Sequence, residues 1–156
     1  MPDDLKLGDI VESLMDGKRP ATQFMGRVKT MQKADILPVA HRTEGGQARY
    51  GTEALVAAAI YNELFNLGMH HPKTEDPEGS PFLAVASTLD GETLDWIEMH
   101  SRAGQNWVVR LDLIEGTRFK ARTYYFEDEN VGTPPGTTSS VFIDVRPIVQ
   151  RILGAN

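Results

Sequence analysis

Cysteine is absent from all 156 residues, which removes disulfide staples, thiolate metal sites and cysteine nucleophiles together. A cysteine-free chain also suits a reducing compartment, so a cytoplasmic location is expected. Long apolar runs are missing as well. The longest weakly polar stretch, Ala54 to Asn62, falls well short of the roughly 18–20 residues that span a bilayer, so no membrane partner is expected. The first residues, Met1-Pro2-Asp3-Asp4, are acidic where a secretory leader would be basic and then apolar. The common catalytic signatures are lacking too: there is no GxSxG, P-loop, GxGxxG or HExxH. Gly132 to Gly136 (GTPPG) is glycine-rich, but its two prolines remove backbone donors that a phosphate would need. His70 and His71 adjoin acids, yet neighbouring loop histidines do not form the i, i+4 helical pair of a zinc site. No cofactor, metal or enzymatic activity is therefore expected.

What is present is an ordinary globular composition, 40% hydrophobic and 24% charged, enough for one compact domain or a module with an appendage. The net charge of −6 hides an uneven distribution. Residues 1–16 hold one base and five acids, residues 17–52 seven bases and two acids, and residues 53–156 eight bases and fifteen acids. One basic segment thus sits within an acidic chain, and phosphate contact depends on such a local field rather than on the total.

Periodicity places the elements. Leu7, Ile10, Val11, Leu14 and Met15 mark an amphipathic helix, broken by the turn Asp16 to Pro20. A second helix, with Thr22 as its N-cap, is predicted to about Ala34, with Phe24, Val28 and Met31 inward and Arg27, Lys29, Thr30 and Lys33 outward. Leu37-Pro38 ends it. Val39–Arg42 and Gln47–Tyr50 flank Gly45-Gly46 as a hairpin whose glycines supply positive φ angles. A third helix runs from Glu53 to Leu67, capped by Thr52 and stopped at Gly68. Residues 71–81, rich in proline, glycine and charge, read as a linker. Beyond it, the pattern predicts a helix over 91–101 with Leu94, Trp96 and Ile97 at or near a buried face. Strands follow over 106–115, 117–126 and 138–145, then a closing helix to Leu153. In the first strand Val109, Leu111 and Leu113 alternate against Arg110, Asp112 and Ile114. The expected fold class is α+β: a winged helix-turn-helix over residues 1–70, the linker, and a small antiparallel sheet with helices over 82–156.

Helix, turn, helix, hairpin, helix is the layout of a winged helix-turn-helix, whose second helix enters the major groove while the wing touches the backbone beside it. The bases fall on those two elements. At Ile36-Leu37-Pro38, at the run Arg42 to Tyr50 (RTEGGQARY), and at Ala59-Ile60, Leu64 and Leu67-Gly68, the chain resembles the MerR family over roughly residues 5–70. Residues 82–156 do not look like that family's long coiled-coil helix. The resemblance implies phosphate contacts from Arg42 and Arg49, with Tyr50 bracing the wing, reaching the backbone or packing in the core. Base reading falls to Gln23, Arg27, Lys29 and Thr30, supported by Arg19 and Lys33. The expected partner is double-stranded DNA, bound by a homodimer that doubles the read length, as a transcriptional regulator. A phage-type packaging or excision module and a protein–protein adaptor are the alternatives. The aromatics of the C-terminal half, Trp96, Trp107, Phe119, Tyr124, Tyr125 and Phe126, are either a small core or a face for a small molecule, a protein or a second copy.

Overall fold

A computed structural model describes residues 3–125 and 132–154. Its centre is a helix that is apolar on every side, α3 (Thr52–Asn66), with Ala54 through Tyr61 and Leu64 all buried. A helix of that kind must be covered all round. The others do so: α1 (Leu7–Leu14), α2 (Ala21–Lys33), α4 (Pro81–Ala86), α5 (Gly91–Arg102) and α6 (Val145–Leu153) all pack against it. A single apolar cluster consequently runs from Ile10 and Phe24 through Ile60 to Ile97 and Val149. Residues 1–70 and 82–156 share that core, where the sequence reading expects two units joined by a linker.

The strands form two antiparallel sheets, so the class is mixed α+β. The smaller pairs β1 (Val39–Arg42) with β2 (Ala48–Tyr50), and Leu5 extends it by two backbone hydrogen bonds of 2.9 Å to Tyr50. The larger has β3 (Trp107–Ile114) between β4 (Arg118–Tyr125) and β5 (Thr137–Asp144). Its core face carries Val109, Leu111 and Ile143.

Several local expectations are corrected. Thr22 is not a cap: α2 starts at Ala21 behind Pro20, with no side-chain cap. The turn before it closes on Asp16 instead, whose Oδ1 accepts from the backbone N–H of Lys18 and of Arg19, both at 2.9 Å. Those hydrogen bonds hold the Asp16 carboxyl below the usual carboxylate range. Thr52 is the first residue of α3, after Gly51. In the β1–β2 turn only Gly46 has a positive φ, +82°, so one glycine rather than two carries the turn. The linker is partly ordered: Pro77–Gly79 is a 3-10 turn, and buried Ser80 caps α4 by accepting from the N–H of Phe82 and of Leu83.

β3 is the strand that the alternation predicts, but both of its faces are buried. Arg110 is 5% exposed and Asp112 1%. Arg110 Nε donates to Asp112 Oδ1 at 2.8 Å, Ser140 Oγ donates to the same oxygen at 2.6 Å, and Arg110 Nη2 reaches Thr133 Oγ1 at 3.0 Å. Arg122 adds an ion pair to Asp112 Oδ2 at 3.6 Å. A buried charge is tolerable only when partnered in this way. Phe126, the end of the strand expected over 117–126, and residues 127–131, which read as the start of a polar loop, lie outside the described residues.

Candidate nucleic-acid interface

The exposed surface of α2 follows from its inward stripe. Phe24, Arg27, Val28 and Met31 are buried. At 3.6 residues per turn, the opposite side is Thr22, Gly26, Lys29 and Lys33, all exposed. A Cβ added at Gly26 would meet nothing within 4 Å, so the middle of this face is open. The helix carries no acid. Gln23 and Thr30 lie on one flank; Gln23 is exposed, and the Thr30 hydroxyl is turned onto the Gly26 carbonyl at 3.0 Å. Thr30 and Lys33 border a depression shared with His71, Lys73 and Glu75. Gln32 lies on the other flank, where a polar groove of about 470 Å³ separates the end of α2 from the hairpin and takes in Arg42, Arg49 and Lys6.

The predicted residues divide sharply. Lys29, Lys33 and Gln23 stand at the surface of α2, and Arg42 stands exposed on the hairpin, its Nη1 donating to the Gly46 carbonyl at 3.1 Å. Arg19 is half-committed, paired with Asp16 at 2.9 Å. Arg49 is drawn inward: its Nε lies 3.3 Å from Asp4 Oδ1, and its Nη2 donates to Gln47 Oε1 at 3.3 Å. Asp4 also lies 3.6 Å from His41 Nε2, so the acidic N-terminal segment offsets part of the hairpin's positive charge.

Two residues leave the interface altogether. Tyr50 is 2% exposed, with its hydroxyl accepting from Gln32 Nε2 at 3.4 Å; of the roles open to it, core packing is the one observed. Arg27 is 9% exposed. Its guanidinium lies 5.5 Å from the Phe24 ring centre and 5.4 Å from that of Phe65. Nη1 donates to Asn62 Oδ1 at 2.7 Å and to Asn66 Oδ1 at 2.8 Å. Burial pushes its pKa down, with the Arg19 charge adding to the effect, but a guanidinium starts high enough to stay charged at neutral pH. Arg27 is a clamp between α2 and α3, not an outward-facing reader. Thr22 and Gly26 were missed by the sequence reading; their spacing of three and seven from Lys29 was the available signal.

Elsewhere, the aromatics of the C-terminal half split between core and surface. Phe119 and Trp107 are half-buried against the core, Trp96 is 46% exposed, and His100 and Tyr125 gather around Trp107 between α5 and the sheet. Among the described residues no cluster of histidine and acidic side chains could hold a metal ion, and no helix is long and apolar enough to cross a membrane. No family model, curated protein or solved structure matches the chain.

Proposed function

We propose that this chain is a sequence-reading DNA-binding regulator built on a winged helix-turn-helix, with α2 in the major groove and the β1–β2 hairpin against the neighbouring backbone. The observation that carries the reading is the acid-free outer face of α2, where Thr22, Gly26, Lys29 and Lys33 are exposed together. A helix of 13 residues is about 20 Å long and, with side chains, about 10–12 Å wide, which suits a major groove about 12 Å across. The small residues Thr22 and Gly26 let the helix approach base edges closely, while Lys29 and Lys33 supply charge. Arg42, exposed on the hairpin, is the phosphate contact of the wing. The MerR resemblance of the hairpin and of α3 supports the same assignment.

The reading is tested by selecting binding sites from a randomised duplex library. Enrichment of one short motif is expected, and its loss in Gly26→Gln or Thr22→Ala would place base reading on this face. Salt-dependent retention of DNA with no enriched motif would replace the regulator by a non-specific architectural protein.

A further inference from the structure

The two edges of the three-stranded sheet are treated in opposite ways. At β4 the edge is defended. Arg118, Lys120 and Arg122 place a charge at every second residue, α4 and the 3-10 turn pack beside the strand, and Glu78 pairs with Arg118 at 3.7 Å and with Lys120 at 3.9 Å. Alternating charge and a covering element are the usual devices against edge-to-edge pairing. Among the described residues β5 has neither alternating charge nor a covering helix, its one charge being the terminal Asp144. Thr137 to Ile143 (TTSSVFI) contains no charge and no proline, and among the described residues only β3 pairs with the strand. Alternate residues of such an edge strand direct unpaired backbone groups outward.

Apolar surface lies along the same edge. Phe142 is 58% exposed and Leu67 56%, and both border a groove of about 420 Å³ with Pro147 and Ile148. Both signs of charge sit on its rim, Glu63 and Asp144 beside Arg151. A patch holding both signs can face its own copy across a twofold axis without net like-charge repulsion, each copy offering an acid to the other's base.

We infer that β5 is the dimerisation edge, and that its occupant is the β5 strand of a second copy. Antiparallel pairing about a twofold axis joins the two sheets into one of six strands, in the order β4-β3-β5-β5-β3-β4, and covers Phe142 and Leu67. The interface does not rest on the DNA-binding reading, since the mass of the protein without DNA reports it.

The test is light-scattering mass across a concentration series, run on the wild type and on Ser139→Glu/Phe142→Glu, in which the new acid at 142 faces the Arg110 guanidinium that the Phe142 ring covers at 5.2 Å. The wild type is expected at twice 17.3 kDa, and the double variant at the single mass with an unchanged circular dichroism spectrum. A second arm uses the absence of cysteine. Single substitutions Thr138→Cys, Ser139→Cys, Val141→Cys and Phe142→Cys are oxidised alongside the β4 controls Arg118→Cys and Lys120→Cys. Disulfide dimers are expected at one or two adjacent β5 positions nearest the axis and at neither control, because bridged Cα atoms must lie within about 7 Å. A wild type that is monomeric at every concentration overturns the proposal. So does a dimer that cross-links at the controls and at no β5 position. If the double variant fails to fold, these two results still decide.

Discussion

Arg27→Ala separates a structural arginine from a DNA-reading one. In the folded chain its guanidinium makes two hydrogen bonds to amide oxygens and packs between two rings. Hydrogen bonds to a charged group are worth about 1.5–3 kcal/mol, and a partly desolvated cation–π contact adds about 1 kcal/mol. Truncation also leaves the Asn62 oxygen without its arginine donor at a residue only 3% exposed. These contributions overlap rather than add, giving a loss of about 3 kcal/mol. For a chain of this length that lowers the thermal midpoint by about 6–12 °C. Arg27→Lys should fall between, because an ammonium cannot bridge both asparagines and stack on both rings. The assay is thermal unfolding followed by circular dichroism, with DNA affinity measured well below the midpoint. Affinity per folded molecule is expected to change less than about threefold. A variant that keeps its midpoint within about 2 °C but loses DNA binding would refute the clamp and return Arg27 to the interface.

Asp112→Ala strips the carboxylate from two arginines and leaves Arg110 charged and buried, so urea unfolding should report a loss of about 3–5 kcal/mol. Ser80→Ala removes a fully buried cap that accepts two N–H groups; a loss of about 1–2 kcal/mol is expected in the same assay. His71 gives a pH dependence. Burial pushes its pKa below the ordinary histidine value, and Nδ1 lies 2.7 Å from Ser80 Oγ. The unfolded chain then binds the proton more readily, so this contribution is fully present above about pH 6.5 and is lost as pH falls through that value toward the lower folded one. Urea midpoints at pH 5 and 7.5 should differ more in the wild type than in His71→Gln; equal differences would remove His71 as the cause.

Sequence legibility followed the range of the interactions. The hairpin and the end of α3 were readable because their signals are local: glycine at the turn, and Leu67-Gly68 at a helix stop where Gly68 has φ +83°. α4 was not, since six residues opened by a serine-proline pair carry too little periodicity to stand out from a polar stretch. Arg27 could not be placed from its own helix. It borders the stripe of Phe24, Val28 and Met31, and what draws it inward, Asn62 and Asn66, lies 35 and 39 residues away. The alternation of Arg110 and Asp112 with Val109 and Leu111 shows a strand but not what covers its polar side, because Thr133 and Ser140 return over that face from more than 20 residues away. The pairing of Arg49 was not legible for the same reason, its partner Asp4 being remote in sequence. The outward lysines, whose surroundings are set by one helix, were placed correctly at the surface.

The most direct test of the central claim is the salt dependence of duplex-DNA binding by the wild type and by Lys29→Ala/Lys33→Ala/Arg42→Ala. Each phosphate contact contributes a slope of about −0.9 in log K against log salt. Three contacts per copy therefore predict a slope near −2.7 for each bound copy, about −5.4 for a bound dimer, or a loss of roughly 40-fold and roughly 2,000-fold respectively between 50 and 200 mM salt. The triple variant should lose most of that slope while unfolding at the wild-type temperature. An unchanged slope and affinity in the folded triple variant, or no binding by the wild type at low salt, would contradict the assignment of α2 and the hairpin to DNA.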